Sequence, residues 1–417
     1  MIARQFQIVY MERTTIAHGP AYLPTALVLA AGLTTQSTGV SRGAEKQDQL
    51  PRINAPELAA GPTSPAENSD EINGATLDVW SAPYRGWHYC ADAIIPSDLR
   101  VPGHEKFHSF DVPTVYRLPG QPSKWFMSFI GFNGQGYNSF MVESTNLVRW
   151  TNARLAMGFG PTNEFDHGGR VIGAFLYESY DTKSSRSLKK RGGKYWTLYG
   201  CYPRQGGYEL RPGYEGVACS DDSLTWRRAK DKPILAVHDS DCGTWEKDCI
   251  YQPWLVEDRG RFLNFYNAAN GGIEQTGLAF SNDLLTWMRH PANPVIRNRQ
   301  DGYDAQFASD PKVFRDGDHW TLFYFGVGRG GAHIMIAFSR DLVQWTAHPK
   351  PLYKAGGNPS GLDQQYAHKI SLVFNPNNET FYMFYCACGT KGRGIGLITS
   401  KPVQPAPSTA AGRERAG

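Results

Sequence analysis

The sequence contains no CxxC pair and only seven cysteines, an odd number. This argues against thiolate metal sites of the zinc-finger kind and against a full disulfide framework. Cys242 and Cys249 are close enough in a loop-like stretch to be bridged in an exported protein. Cys386 and Cys388, at i and i+2, share one strand face and suit core packing. Charge of one sign is equally scarce. The 43 Lys and Arg residues against 39 Asp and Glu leave a formal net charge of +4, and the basic residues are scattered. Nucleic-acid binding, which needs a focused basic stripe, is thereby disfavoured. The apolar run from Ala21 to Leu33 is too short to span a bilayer. What is plentiful is glycine (44), proline (27) and aromatics (13%), a composition that favours many short strands joined by tight turns, hence an all-β fold.

The run at Ala21–Leu33 has Arg4 and Arg13 before it and Thr-Thr-Gln-Ser-Thr-Gly after it. Residues 1–40 read as a signal or leader segment, which implies a secreted or periplasmic protein. Residues 41–76, rich in Pro, Ala, Glu, Asn and Ser without apolar periodicity, read as a disordered linker, and 406–417 as a disordered tail.

The body of the chain repeats. A serine, a leucine three or four places on and a tryptophan six places on recur at Ser144–Trp150, Ser220–Trp226, Ser281–Trp287 and Ser339–Trp345. An aromatic, β-rich stretch precedes each, and a fifth such stretch lies at Phe381–Tyr385, so five repeats are visible. Each reads as an apolar strand, a turn, an aromatic strand, a small-residue strand and the Ser/Trp turn. Such a four-stranded sheet cannot bury both faces alone, and radial stacking also protects its edges. The expected fold is a five-bladed β-propeller of four-stranded antiparallel blades over 77–405, with the stretch from Leu77 to Phe110 adding a closing strand. The spacing of the tryptophans exceeds the ~40–45 residues of WD40 blades. Trp150, Trp226, Trp287 and Trp345 are assigned to packing between sheets.

In such a ring the residues opening each innermost strand converge at one mouth. They are Asp111; Asp166 with His167 and Arg170; Asp248; Asp310; and His368. Glycosidic cleavage needs two titratable groups on opposite sides of the scissile bond, and crowded carboxylates can separate their pKa values.

The blade turns and the Asp310-Pro311-Lys312-Val313-Phe314 opening resemble the five-bladed propeller glycoside hydrolases of families 43, 32 and 117. The last blade, with Tyr366-Ala367-His368-Lys369, Phe381–Ala387 and Arg393–Ser400, is most similar to family 117 anhydrogalactosidases and their unassigned relatives. The resemblance covers about Phe107 to Pro402. It implies an inverting hydrolase with Asp111 as base, Asp310 as orienting carboxylate and His368 as acid. Two departures stand out: Val112 separates Asp111 from Pro113, and Ile370 replaces a proline. Asp166 and Asp248 are alternative bases, and Glu246 is an alternative acid by analogy with families 32 and 43. Arg170 and Gln252 are candidates for holding sugar hydroxyls, and Trp254 and Tyr303 for stacking on a sugar face.

The resulting expectation is an exo-acting glycoside hydrolase releasing a terminal sugar from a plant or algal polysaccharide. A propeller that binds glycan without cleaving it is the alternative; a phosphorylase would need a basic cluster that is not evident. No cofactor is required, a divalent cation at the axis is left open, and the sequence is silent on oligomeric state.

Overall fold

Each Ser-to-Trp segment folds into the same turn. The hydroxyls of Ser144, Ser220, Ser281 and Ser339 accept the backbone N–H groups two and three residues on, at 2.8–3.3 Å. Oδ1 of Asn146, Asp222, Asp283 and Asp341 accepts the next N–H groups at 2.7–3.0 Å. These oxygens hold the next residue, Leu147, Ser223, Leu284 or Leu342, in the left-handed region with φ of 66–70°. The tryptophans then pack: Trp150 meets Phe384 edge-on at 5.8 Å, Trp345 meets Phe265 at 5.9 Å, and the indole N–H groups of Trp226, Trp287 and Trp345 donate to backbone carbonyls in their own turns. Packing is the role the sequence assigned them.

The computed structural model describes residues 72–403. The expected leader, most of the linker and the tail lie outside the described residues. A short helix, α1 (Gly74–Ser81), begins within the last part of the expected linker and is capped by Asn73, whose Oδ1 accepts the Thr76 N–H. Strand β1 (His88–Tyr89) follows.

The remaining strands form antiparallel units in chain order. The first holds β2 (His108–Tyr116), β3 (Trp125–Phe132), β4 (Tyr137–Ser144) and β5 (Thr151–Met157). The second holds β6 (Gly169–Phe175), the short β7 (Lys190–Arg191), β8 (Lys194–Tyr202), β9 (Tyr214–Ser220) and β10 (Arg227–Arg228). Next come β11 (Cys249–Asp258), β12 (Arg261–Asn270), β13 (Ile273–Ser281) and β14 (Met288–Arg289), and then β15 (Phe307–Asp316), β16 (His319–Gly328), β17 (Gly331–Ser339) and β18 (Thr346–Ala347). The last holds β19 (Tyr366–Asn375), β20 (Thr380–Gly389) and β21 (Gly392–Thr399), with β1 pairing onto β21 as its outer strand.

Consecutive units touch where a third strand begins. Single parallel bridges join Tyr137 to Gly169, Glu274 to Phe307 and Ala332 to Tyr366. The first strands β2, β6, β11, β15 and β19 pack side by side, and Ser371 Oγ on β19 accepts the Val115 N–H of β2 at 2.9 Å.

A second regularity braces each sheet. Second strands carry Tyr199, Tyr266, Tyr324 and Tyr385. A carboxylate three residues before the first strand meets each: Asp166 at 2.9 Å, Asp304 at 2.6 Å and Asp363 at 3.0 Å, with Glu246 hydrogen-bonded to Tyr266. The cross-strand neighbours Gly216, Gly277 and Gly396 leave room for the rings; an added Cβ would stand 2.2, 2.4 and 2.7 Å from a ring carbon of Tyr199, Tyr266 and Tyr385.

Candidate active site at the start of the first strands

The first strands do not run straight. Their pairing slips between Asp111 and Thr114, Tyr251 and Trp254, Ser309 and Lys312, and His368 and Ser371. At each slip one residue has positive φ: Val112 (52°), Gln252 (51°), Asp310 (51°) and Lys369 (51°). A left-handed conformation costs a non-glycine residue about 1–2 kcal/mol, and its recurrence on four strands marks a bulge that re-aims side chains. The bulges also set the alignment. Val112 occupies the position of Asp310, directly before proline, whereas Asp111 is the counterpart of Tyr251, Ser309 and His368.

Asp111 is buried (1% exposed) and fully engaged. Its Oδ2 lies 2.6 Å from Arg393 Nη1 and 3.1 Å from Lys369 Nζ, and its Oδ1 accepts the Val112 N–H. Burial works against ionisation, but Lys369 and Arg393 outweigh it and hold the carboxyl well below the usual range. Lys369 is held above its usual value in turn, chiefly by Asp111 against the cost of burial. Asp310 is also buried; its Oδ1 takes Lys312 Nζ at 2.8 Å, and its Oδ2 has no hydrogen-bond partner.

His368 lies on β19 beside Asp111. Its ring stacks on Tyr366 at 5.7 Å and meets Phe325 edge-on at 4.6 Å, and its Nδ1 is buried without a partner. Burial pushes its pKa down to about 3. The imidazole is therefore neutral at working pH, which removes the physical basis for the proton-donor role that the resemblance implied. Cys386 and Cys388 face it, and all seven cysteines, Cys242 and Cys249 included, are free.

Two residues that the sequence pattern did not single out complete the mouth. Glu274 begins β13 where Tyr137 begins β4 and Arg393 lies near the start of β21, each level with the bulges of the first strands. Glu274 is 4% exposed and accepts from Asn267 Nδ2 at 3.2 Å. Burial pushes its carboxyl up; Tyr251 opposes this and the nearby Glu209 adds to it. Glu209 lies in the segment between β8 and β9. Neighbouring Tyr208 packs on Phe132 and Tyr137 and accepts from Arg393 Nη1 at 3.0 Å, while Arg211 pairs with Asp248 at 3.1 Å. The segment therefore reaches from the second unit across to the last. The signal for Glu274 was available: counting back from the regular spacing of third-strand glycine and Ser/Trp turn places it beside the next first strand.

The other candidates separate. Gln252 is buried at its bulge. Asp248 is half-exposed at the rim, holding Arg211 and the Gly271 N–H. Tyr303 is half-buried against His333 and Lys354. Asp166 is wholly buried in an internal cluster with Arg170 (2.8 Å), Arg228 (3.4 Å) and Tyr199. Glu246 is likewise buried against Arg289 at 3.0 Å. Both belong to the recurring tyrosine brace, so their charges serve structure, and Arg170 is an ion-pair partner. Trp254 is 3% exposed in the core with its indole N–H bonded to Val313 O, which leaves no face for a sugar. A cleft of about 360 Å³ lies at the opposite end of the first strands, lined by Tyr177, Asp181, Lys189, Glu257 and Arg315, away from these groups.

Comparison with known proteins points one way. Residues 245–362 match the glycosyl hydrolases family 32 N-terminal domain. A solved structure described as a complex of BT0996 and RGII is similar at 27% identity and a TM-score of 0.69, covering 81% of this chain and 97% of its own. Another, described as "Glycoside hydrolase", gives 26%, 0.68, 81% and 97%. Zg3597, a family 117 glycoside hydrolase of the marine bacterium Zobellia galactanivorans, shares the fold at 12% identity and a TM-score of 0.52, covering 75% of this chain and 89% of its own. The chain matches none of the curated proteins compared. The chain is similar to the propeller glycoside hydrolases, as its blade turns and last repeat suggested, and these matches support glycosidase activity. Among the described residues no helix is long and apolar enough to cross a membrane.

Proposed function

We propose that this chain is an exo-acting, inverting glycoside hydrolase built on a closed five-bladed propeller, with its site at the mouth formed by the bulged first strands. Two contacts support closure: β1 completes the last unit, and the Asp111 ion pairs and the Ser371 hydrogen bond tie the last unit to the first. The segment carrying Tyr208 and Glu209 blocks one side of the mouth, which favours a pocket for a terminal sugar over an open groove.

The observation that carries the chemistry is the buried Glu274 carboxyl, raised by its surroundings and electrostatically coupled to Glu209. A carboxyl kept protonated can donate to the leaving oxygen, while a second carboxylate activates water. Glu274 is the donor in this reading and Glu209 the base. Asp310, with one oxygen uncommitted, holds a sugar hydroxyl or steers the water. Asp111 and His368 become positioning residues: Asp111 fixes Lys369 and Arg393, whose remaining donors face the substrate. Gln252 supplies a further polar contact.

The test is a screen of the purified full-length protein against plant and algal oligosaccharides, led by RGII, the ligand named for the 27%-identical structure. Release of one terminal sugar, first seen with inverted anomeric configuration by NMR and abolished by Glu274→Gln, is the expected result. Glycan binding without release would replace hydrolysis with recognition alone.

A further inference from the structure

The bulge that places His368 also sets it opposite Cys386, its register partner on β20, and two residues on Cys388 projects from the same face. One ring nitrogen of His368 and both sulfurs lie within 4.8 Å of one another, and all three residues are buried. From this geometry we infer that His368, Cys386 and Cys388 form a binding site for a thiophilic divalent cation, with zinc the best match.

Three observations carry this. The Cys386 and Cys388 sulfurs stand 3.8 Å apart. Tetrahedral zinc with sulfur ligands at about 2.3 Å sets its two sulfurs about 3.8 Å apart, so the pair already has the spacing of one edge of the coordination tetrahedron. Second, Nδ1 of His368 is a buried polar atom with no hydrogen-bond partner, in a residue only 4% exposed. A buried nitrogen lone pair without a donor is costly in a purely structural histidine and is satisfied by a metal. Third, the imidazole is neutral, the state a metal ligand requires.

The neighbouring charges are compatible with a cation. Asp111 with Lys369 and Arg393 leaves a net single positive charge beside the thiols. Binding a divalent ion displaces one proton from each thiol, so M²⁺ and two thiolates replace two neutral thiols and the net charge of the cluster is unchanged. Three protein ligands leave a fourth position for water. The absence of CxxC spacing argued against such a site, but that spacing describes loops. On a strand, C-x-C brings two sulfurs to one face, and the histidine arrives from the next strand.

The experiment loads the reduced full-length protein with zinc, removes excess by gel filtration and measures retained metal by mass spectrometry, with cobalt(II) substitution read by its thiolate-to-metal absorption band. The expected result is one retained ion per molecule, release of two protons on binding and a thiolate–cobalt band. The Cys386→Ser/Cys388→Ser variant is expected to retain less than a tenth of the metal. Because these residues are buried, its far-ultraviolet circular dichroism is compared with wild type, and thiol reactivity of the wild type with and without zinc gives a second reading that needs no variant. No retained metal in folded, reduced wild type would overturn the proposal. So would equal retention by the folded double variant, or thiol reactivity indifferent to zinc. These readouts do not depend on hydrolysis and stand or fall apart from the proposed activity.

Discussion

Arg393 Nη1 lies 2.6 Å from Asp111 Oδ2, joining the third strand of the last unit to the first strand of the first. Lys369 adds a second cation at 3.1 Å. The carboxylate thus anchors the basic side of the mouth and ties distant parts of the chain together.

Removing that anchor leaves two cations without their partner, one of them deeply buried. Asp111→Ala is expected to destabilise the fold by about 3–5 kcal/mol, read as a lowered midpoint in urea denaturation. A loss below about 1 kcal/mol would mean that the cluster is solvated in a way the burial does not suggest.

Acid should weaken the same region in two stages. The folded pKa of His368 is depressed to about 3, so the unfolded chain binds a proton there first. Its contribution is present above the unfolded value near 6.5 and is lost as pH falls, at up to about 1.4 kcal/mol per pH unit between ~6.5 and 3. Asp111, also depressed, adds a loss below about pH 4, where the unfolded carboxylate takes up its proton. Stability measured against pH should therefore decline below about 6.5, and His368→Gln should flatten the upper part of that decline.

In the proposed reaction, Glu274→Gln and Glu209→Gln should each lower kcat by roughly 10²–10⁴-fold without shifting the thermal midpoint downward. Because Glu274 acts while protonated, the alkaline limb of the kcat/KM profile should follow its raised pKa. Glu246→Gln is expected to behave differently, losing stability through Arg289 and the tyrosine brace. A Glu246 variant with intact stability and abolished turnover would restore Glu246 as the acid.

The braces make a separate prediction. Gly277→Ala would put a methyl 2.4 Å from Tyr266 Cζ, and a cost of about 1–3 kcal/mol is expected. Tyr266→Leu in the same chain should recover part of it; a double-mutant cycle without coupling would show that the ring is not what the glycine accommodates.

By itself the sequence determined what is local and repeated. Ser281, Asp283 and Trp287 specify a turn through oxygens two and three residues from the N–H groups they satisfy. Such patterns can be read wherever they recur, so the all-β class, the repeating unit and the packing role of the tryptophans were legible. Asp310 and Gln252 were found because they open first strands. The tertiary structure decided what each charge faces. Asp166 and Glu246 looked like Asp310 as acids near strand openings, but three residues of offset aim them at Tyr199 and Tyr266 inside the sheets. One residue separates Asp111 from the position before proline, and at a bulge that step turns the expected base into an ion-pair anchor. Glu274 and Glu209 were passed over because a carboxylate's proton affinity depends on burial and on neighbours far away in the chain, which only folding brings together.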